Sequence, residues 1–123
     1  PHIAGYSRDG KANGTSMSVQ AVSRKLALGI DNWTCSEIEL PDNPIIEING
    51  EGKTKQEIIS EAVLHTYPIL ADSDRLKQSV LTFEKQRGDY PVRREFPAYT
   101  IKSTNINDSI LLILKELGFN IEK

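Results

Sequence analysis

The chain has 123 residues, 38% of them hydrophobic and 26% charged, and its 15 Lys and Arg stand against 17 Asp and Glu for a net charge of −2. That is apolar material for one modest core and too much for a disordered chain, and it excludes a polybasic nucleic-acid binder as a description of the whole chain. A single cysteine, Cys35, excludes an internal disulfide, two His and one Cys are too few for a tetrahedral structural zinc site, and no apolar run approaches the roughly 20 residues needed to span a bilayer.

In chain order, a short strand is expected over 2–7 and a turn-rich loop over 8–16, where Gly10, Asn13 and Gly14 interrupt any pattern. Ser16 or Ser18 then caps a helix over 17–28 whose apolar face is Val19, Val22 and Leu26, with Gly29 as its stop. Residues 33–40 alternate as a strand, Pro41-Asp42-Asn43-Pro44 turns the chain, and Ile45, Ile46 and Ile48 predict a second strand. Thr54 and Glu57 have the spacing of a capping box, in which hydroxyl and carboxylate satisfy each other's helix-end amides, at the head of a helix ending near His65. A further helix is expected over 73–87, capped by Asp72 or Ser73 and stopped by Gly88. Residues 90–102 read as an extended edge ribbon interrupted by Pro91 and Pro97. Asn105 or Asn107 caps a last helix with Ile110, Leu111, Ile113, Leu114 and Leu117 apolar, and Phe119-Asn120-Ile121 forms a terminal strand or arm. About four helices, a short sheet and a β-ribbon near residues 90–102 make a single α+β domain, 1–123, with an N-terminal arm or loop over 1–16. The free thiol of Cys35 and the lack of a charged, then apolar, leader pattern point to the cytoplasm. Three sequons, at Asn13, Asn32 and Asn107, fit the glycosylation acceptor pattern.

Charge is unevenly spread: residues 1–52 carry a net −3, residues 53–102 a net +2 and residues 103–123 a net −1. The run from Leu81 to Gly88, followed by Val92-Arg93-Arg94-Glu95 and Tyr99-Thr100-Ile101, resembles the end of winged helix-turn-helix domains, where a recognition helix closes on a Gly and a basic two-stranded wing follows. That resemblance covers residues 53–102. It implies a DNA-binding or regulatory module in which Arg75, Lys77 and Gln78 face bases. Arg87, Arg93 and Arg94 would meet phosphates, with Lys85 and Lys102 adding to the basic surface. DNA is then the expected partner, and no cofactor or metal is called for. A protein-interaction domain, binding a protein partner or a second copy through the face from Ile110 to Leu117, is the alternative.

Two catalytic patterns complete the reading. Asp42, Glu51 and Lys53 stand in the order of a Mg²⁺-dependent nuclease site, two carboxylates for the ion and a Lys to orient water. Pro1-His2-Ile3 resembles the start of the tautomerase family, which implies a secondary-amine base at Pro1. The segment from Gly10 to Ser16 has the glycines of a phosphate-binding loop, but the Gly-Lys-Ser/Thr order is absent.

Overall fold

The structure, a computed structural model, describes residues 6–122. Its elements are α1 (Arg8–Leu26), β1 (Ile45–Asn49), α2 (Lys55–Thr66), α3 (Ile69–Gln78), a 3-10 turn (Val80–Thr82), α4 (Phe83–Gly88), a second 3-10 turn (Phe96–Ala98), β2 (Thr100–Thr104), α5 (Asp108–Glu116) and β3 (Asn120–Glu122). The α+β class expected from the sequence is the one observed. Among the described residues, no helix is long and apolar enough to cross a membrane. The tautomerase-like Pro1 and His2, and most of the strand expected over 2–7, lie outside the described residues.

The three strands pair in parallel in the order β1-β2-β3. One rung joins Ile46, Ile101 and Ile121. Side chains alternate along β1 as the pleat requires, with Ile46 and Ile48 buried and Ile45, Glu47 and Asn49 exposed. Helices α2 and α5 cover the buried face and touch each other there. The core is Ile46, Ile48, Ile58, Ala62, Tyr99, Ile101, Ile110, Leu111, Leu114 and Phe119. Each fully buried Ile or Leu in that group contributes about 1.5–3 kcal/mol. The rings of Phe96 and Phe119 stack at 4.6 Å, and the Tyr99 hydroxyl donates to the Thr66 carbonyl at 3.2 Å, so the core's one phenol is satisfied.

Caps explain where the helices that cover the sheet begin. Thr54 and Glu57 form the expected capping box on α2, and Asn107 Oδ1 accepts from the Ile110 amide at 3.0 Å to start α5. The face from Ile110 to Leu114 is therefore spent on the sheet, with Ile110, Leu111 and Leu114 buried and Leu117 left partly open.

Several expectations are corrected. The loop over 8–16 is helix, because Ser7 Oγ accepts from the Gly10 amide at 2.9 Å and starts α1 there. The buried positions of α1 are serines: Ser16 Oγ accepts from the Cys35 amide at 3.0 Å, and Ser23 Oγ accepts from the Ile30 amide at 3.0 Å. Val22 and Leu26, expected to face the core, are exposed. Residues 33–40 form no strand; they run along α1, held by those side-chain bonds and by Gln20 Nε2 donating to the Trp33 carbonyl at 2.9 Å. The helix expected over 73–87 starts instead after Pro68 and breaks at Ser79 into α3, a 3-10 turn and α4. The ribbon is not a wing: residues 90–95 are irregular, and Thr100–Thr104 is the central strand of the parallel sheet.

Candidate functional site

Residues 6–11 and residues 87–93, far apart in sequence, are fastened together by short-range bonds. The Arg8 amide donates to the Arg93 carbonyl at 2.9 Å. Behind that bond, Arg94 Nε and Nη2 donate to the two carboxylate oxygens of Asp9 at 2.9 and 3.0 Å, and the Glu95 amide donates to the same carboxylate at 2.8 Å. Arg94 also donates to the Glu39 carbonyl. The guanidinium of Arg94, whose side chain is 9% exposed, is thus paired and hydrogen-bonded, the condition for burying a charge. Burial pushes the Asp9 carboxyl up, but the hydrogen bonds from Arg94 and the Glu95 amide outweigh it and hold the group below its ordinary value.

In front of this clamp lies a cavity of about 220 Å³. Arg8 and Lys11, one helical turn apart at the start of α1, form one wall together with Tyr6. Arg87 at the end of α4, and Tyr90 to Arg93, form the other, and Tyr67 from the end of α2 closes the side. Lys11 Nζ sits 4.0 Å above the Tyr6 ring, a cation–π contact that steers the ammonium. Among the described residues, four cations line the cavity and no carboxylate does. Arg93 has Glu95 at 3.6 Å, whereas Arg8 and Arg87 have no ion-pair partner among the described residues. Tyr67 donates its hydroxyl to the buried Asp72 at 2.7 Å, and Arg75 also pairs with that carboxylate. Burial first, then this bond to Asp72, pushes the Tyr67 hydroxyl well above its ordinary value, so it stays a neutral donor aimed at Asp72. The field in the cavity is therefore positive, with Arg8 and Arg87 unpaired by any carboxylate among the described residues in a partly enclosed space, which favours an anion.

The eight residues expected to face DNA do not share a surface. Arg87 and Arg93 meet in the cavity, Arg94 is buried in the clamp, and Arg75 is turned onto Asp72. Lys77 and Gln78 are exposed on α3, Lys85 pairs with Asp89, and Lys102 lies on the open sheet face 3.6 Å from Glu122. The winged-helix reading falls, since its wing is a central strand and its recognition helix is broken. The nuclease triad falls as well. Asp42 precedes β1 and Glu51 follows it, so the five-residue strand alone puts about 16 Å between them. Lys53 is paired with Glu61, and no group of three metal-ligating side chains occurs among the described residues. His65 Nε2 lies 3.1 Å from the Asn43 carbonyl and its ring meets Tyr99 edge-on, a structural tie to the loop entering β1.

Sequence reasoning placed Arg87 and Arg93 among phosphate contacts and missed Arg8, Lys11, Tyr67 and Tyr90. The signal for the first pair is the i, i+3 spacing of two cations directly after a capping Ser, hidden here by the two glycines that made the segment read as a loop.

Comparison with known proteins gives a consistent picture. The family described as Domain of unknown function (DUF3410) matches residues 39–118. An erythronate-4-phosphate dehydrogenase of Bacteroides thetaiotaomicron is 44% identical over 101 residues, covering 82% of this chain and 26% of the relative. Those of Porphyromonas gingivalis and Colwellia psychrerythraea are each 35% identical, over 112 and 123 residues, covering 91% and 97% of this chain and 30% of each relative. The chain thus spans about a quarter to a third of the length of the curated relatives it matches. The Colwellia alignment leaves out at most about four residues of the chain, so both walls of the cavity fall inside it. None of these relatives is a DNA-binding protein by name, which overturns the DNA-binding function together with the winged-helix resemblance.

Proposed function

The chain belongs to the family described as Domain of unknown function (DUF3410), and from that membership we propose that it is one part of an erythronate-4-phosphate dehydrogenase. The observation that carries the proposal is the 44% identity to such an enzyme over 101 residues. The cavity supports it, because the named substrate is a small, doubly acidic molecule and the cavity is small and cationic. The proposal keeps the cytoplasmic location inferred from the free thiol of Cys35.

A dehydrogenase also needs a hydride acceptor. In a dinucleotide-binding turn, a strand leads through Gly-x-Gly-x-x-Gly into a helix whose free amides meet the pyrophosphate. The turn from β1 through Gly50 and Gly52 into α2 has that outline, but its residues do not fit the group. Lys55 stands at the third glycine position, and the Glu57 carboxylate already occupies the head of α2, accepting from the Thr54 amide and hydroxyl at 2.7 Å each. The Thr54 bonds hold that carboxyl below its ordinary value, so it is anionic at neutral pH and repels a phosphate. What this part of the enzyme offers is a site for the acidic substrate.

The test is an assay of the intact polypeptide with erythronate 4-phosphate and, in turn, NAD⁺, NADP⁺ and a dye as acceptor. Acceptor reduction that depends on erythronate 4-phosphate is expected. No reduction with any acceptor overturns the proposal.

A further inference from the structure

We propose that the cavity walled by Arg8, Lys11, Arg87 and Arg93 is a phosphate-monoester site, which receives the phosphate end of the substrate rather than its carboxylate. The inference rests on the dehydrogenase reading for the identity of the ligand and on geometry for the site itself.

Three observations carry it. The first is charge. A phosphate monoester carries about −1.5 to −2 at neutral pH and three acceptor oxygens, whereas a carboxylate carries −1 and two. Arg8, Arg87 and Lys11, without counting Arg93, which has Glu95 beside it, already exceed what a carboxylate requires and match a dianion, to which Arg presents paired donors. The second is size. About 220 Å³ lies below the roughly 300–1,000 Å³ of cavities for drug-sized ligands, and the space suits a phosphate on a short carbon chain. The third is construction. Like charges repel, yet this chain brings four together and fixes the two segments that bear them with the Arg8–Arg93 backbone bond and the buried Asp9–Arg94 pair. Asp9 and Arg94 compensate each other outside the cavity lining, so the clamp leaves the charge of Arg8 and Arg87 free for a ligand. Tyr67 spends its hydroxyl on Asp72, which keeps that nearby carboxylate engaged away from the anion.

The experiment uses the intact polypeptide, with Arg87→Met and Lys11→Met as test variants and Lys77→Met, an exposed cation on α3, as control. Steady-state kinetics with erythronate 4-phosphate are combined with competition by inorganic phosphate and by erythronate, and binding of inorganic phosphate is read separately by calorimetry. Each test variant should raise KM about tenfold or more and leave kcat within about threefold. It should weaken inorganic phosphate by a similar factor, leave competition by erythronate unchanged, and Lys77→Met should change none of these. An active enzyme whose KM and phosphate competition ignore both substitutions overturns the site and leaves the dehydrogenase reading standing. Weakened competition by erythronate instead of phosphate assigns the cavity to the carboxylate and overturns the proposal. If no oxidation is detected, calorimetry decides alone: phosphate binding lost in Arg87→Met upholds the site while the dehydrogenase reading falls, and no binding by the unaltered protein overturns the site too.

Discussion

At the scale of single residues, the Asp9–Arg94 pair is the most consequential contact outside the core. It joins positions 85 residues apart, and the two side chains are 19% and 9% exposed. Asp9→Asn keeps an oxygen for the Glu95 amide but removes the counter-charge of a nearly buried guanidinium. Loss of one partner of a buried pair costs about 3–5 kcal/mol, and the partial exposure of Asp9 brings the expected loss to about 2–4 kcal/mol at pH 7. The pH dependence follows from the direction of the Asp9 shift. Its folded-state pKa lies below the ordinary 3.8, so the stabilisation is fully present above that value and is lost as the pH falls through the depressed pKa. Urea midpoints measured from pH 7 to pH 2.5 should therefore show a wide gap between the parent and Asp9→Asn at neutral pH that closes below about pH 3.8. Parallel curves would show that the pair does not act through charge.

At the scale of elements, the join between β1 and α2 depends on close backbone approach. The Gly50 amide donates to the Thr104 carbonyl at 2.9 Å, and a Cβ added at Gly50 would stand 2.4 Å from the Asn105 carbonyl oxygen and 2.8 Å from Ile106 Cγ1. Backbone cannot yield as a flexible side chain does, so Gly50→Ala should cost about 2–3 kcal/mol. Gly14, inside α1 with nothing within 4 Å of its added Cβ, should respond with the opposite sign, gaining about 0.5–1 kcal/mol as Ala. Chemical denaturation of the two variants checks both, and equal effects would refute the argument from local space. The contrast also shows what was legible beforehand. Caps that act through a side chain three residues away, such as Thr54 with Glu57 and Asn107 with Ile110, are readable in the sequence. So is the apolar run of β1, because its isoleucines pack on the core. Helix α1 was legible only from residue 17 on; its first half and its inward face were not, since that face is polar and its hydrogen bonds go to residues 30–35, which no periodicity announces. The cavity was half legible: Arg87 and Arg93 carry a visible charge, but only the fold shows that Arg8 and Lys11 stand opposite them. Nothing local revealed that residues 100–104 enter the sheet centre, because a central strand and an edge ribbon share the same alternating pattern.

At the scale of the whole molecule, the net charge of −2 says little, because the cations that matter gather in one cavity while the others are spent in pairs or left on separate surfaces. Packing is equally uneven. The buried core lies between one face of the sheet and the helices α2 and α5, whereas α3, the following 3-10 turn and α4 pack chiefly on one another. In that lobe Leu70 and Val80 are exposed, Leu81 has its whole surface in water, and the buried position on α3 is Asp72, which Tyr67 and Arg75 satisfy. Few buried apolar contacts mean a low free energy of local opening, while amides of the parallel ladder are released only when the core itself comes apart. Native-state hydrogen exchange should accordingly show two tiers. Amides of β1, β2, α2 and α5 should exchange with the free energy of global unfolding, and those of residues 69–88 several kcal/mol below it. Since Tyr67 and Arg87 border the cavity at the two ends of this lobe, saturating inorganic phosphate should raise protection over 69–88 more than in the core. Exchange of the lobe in step with the sheet, with or without phosphate, would mean that the two regions unfold as one unit and that their separate packing has no energetic counterpart.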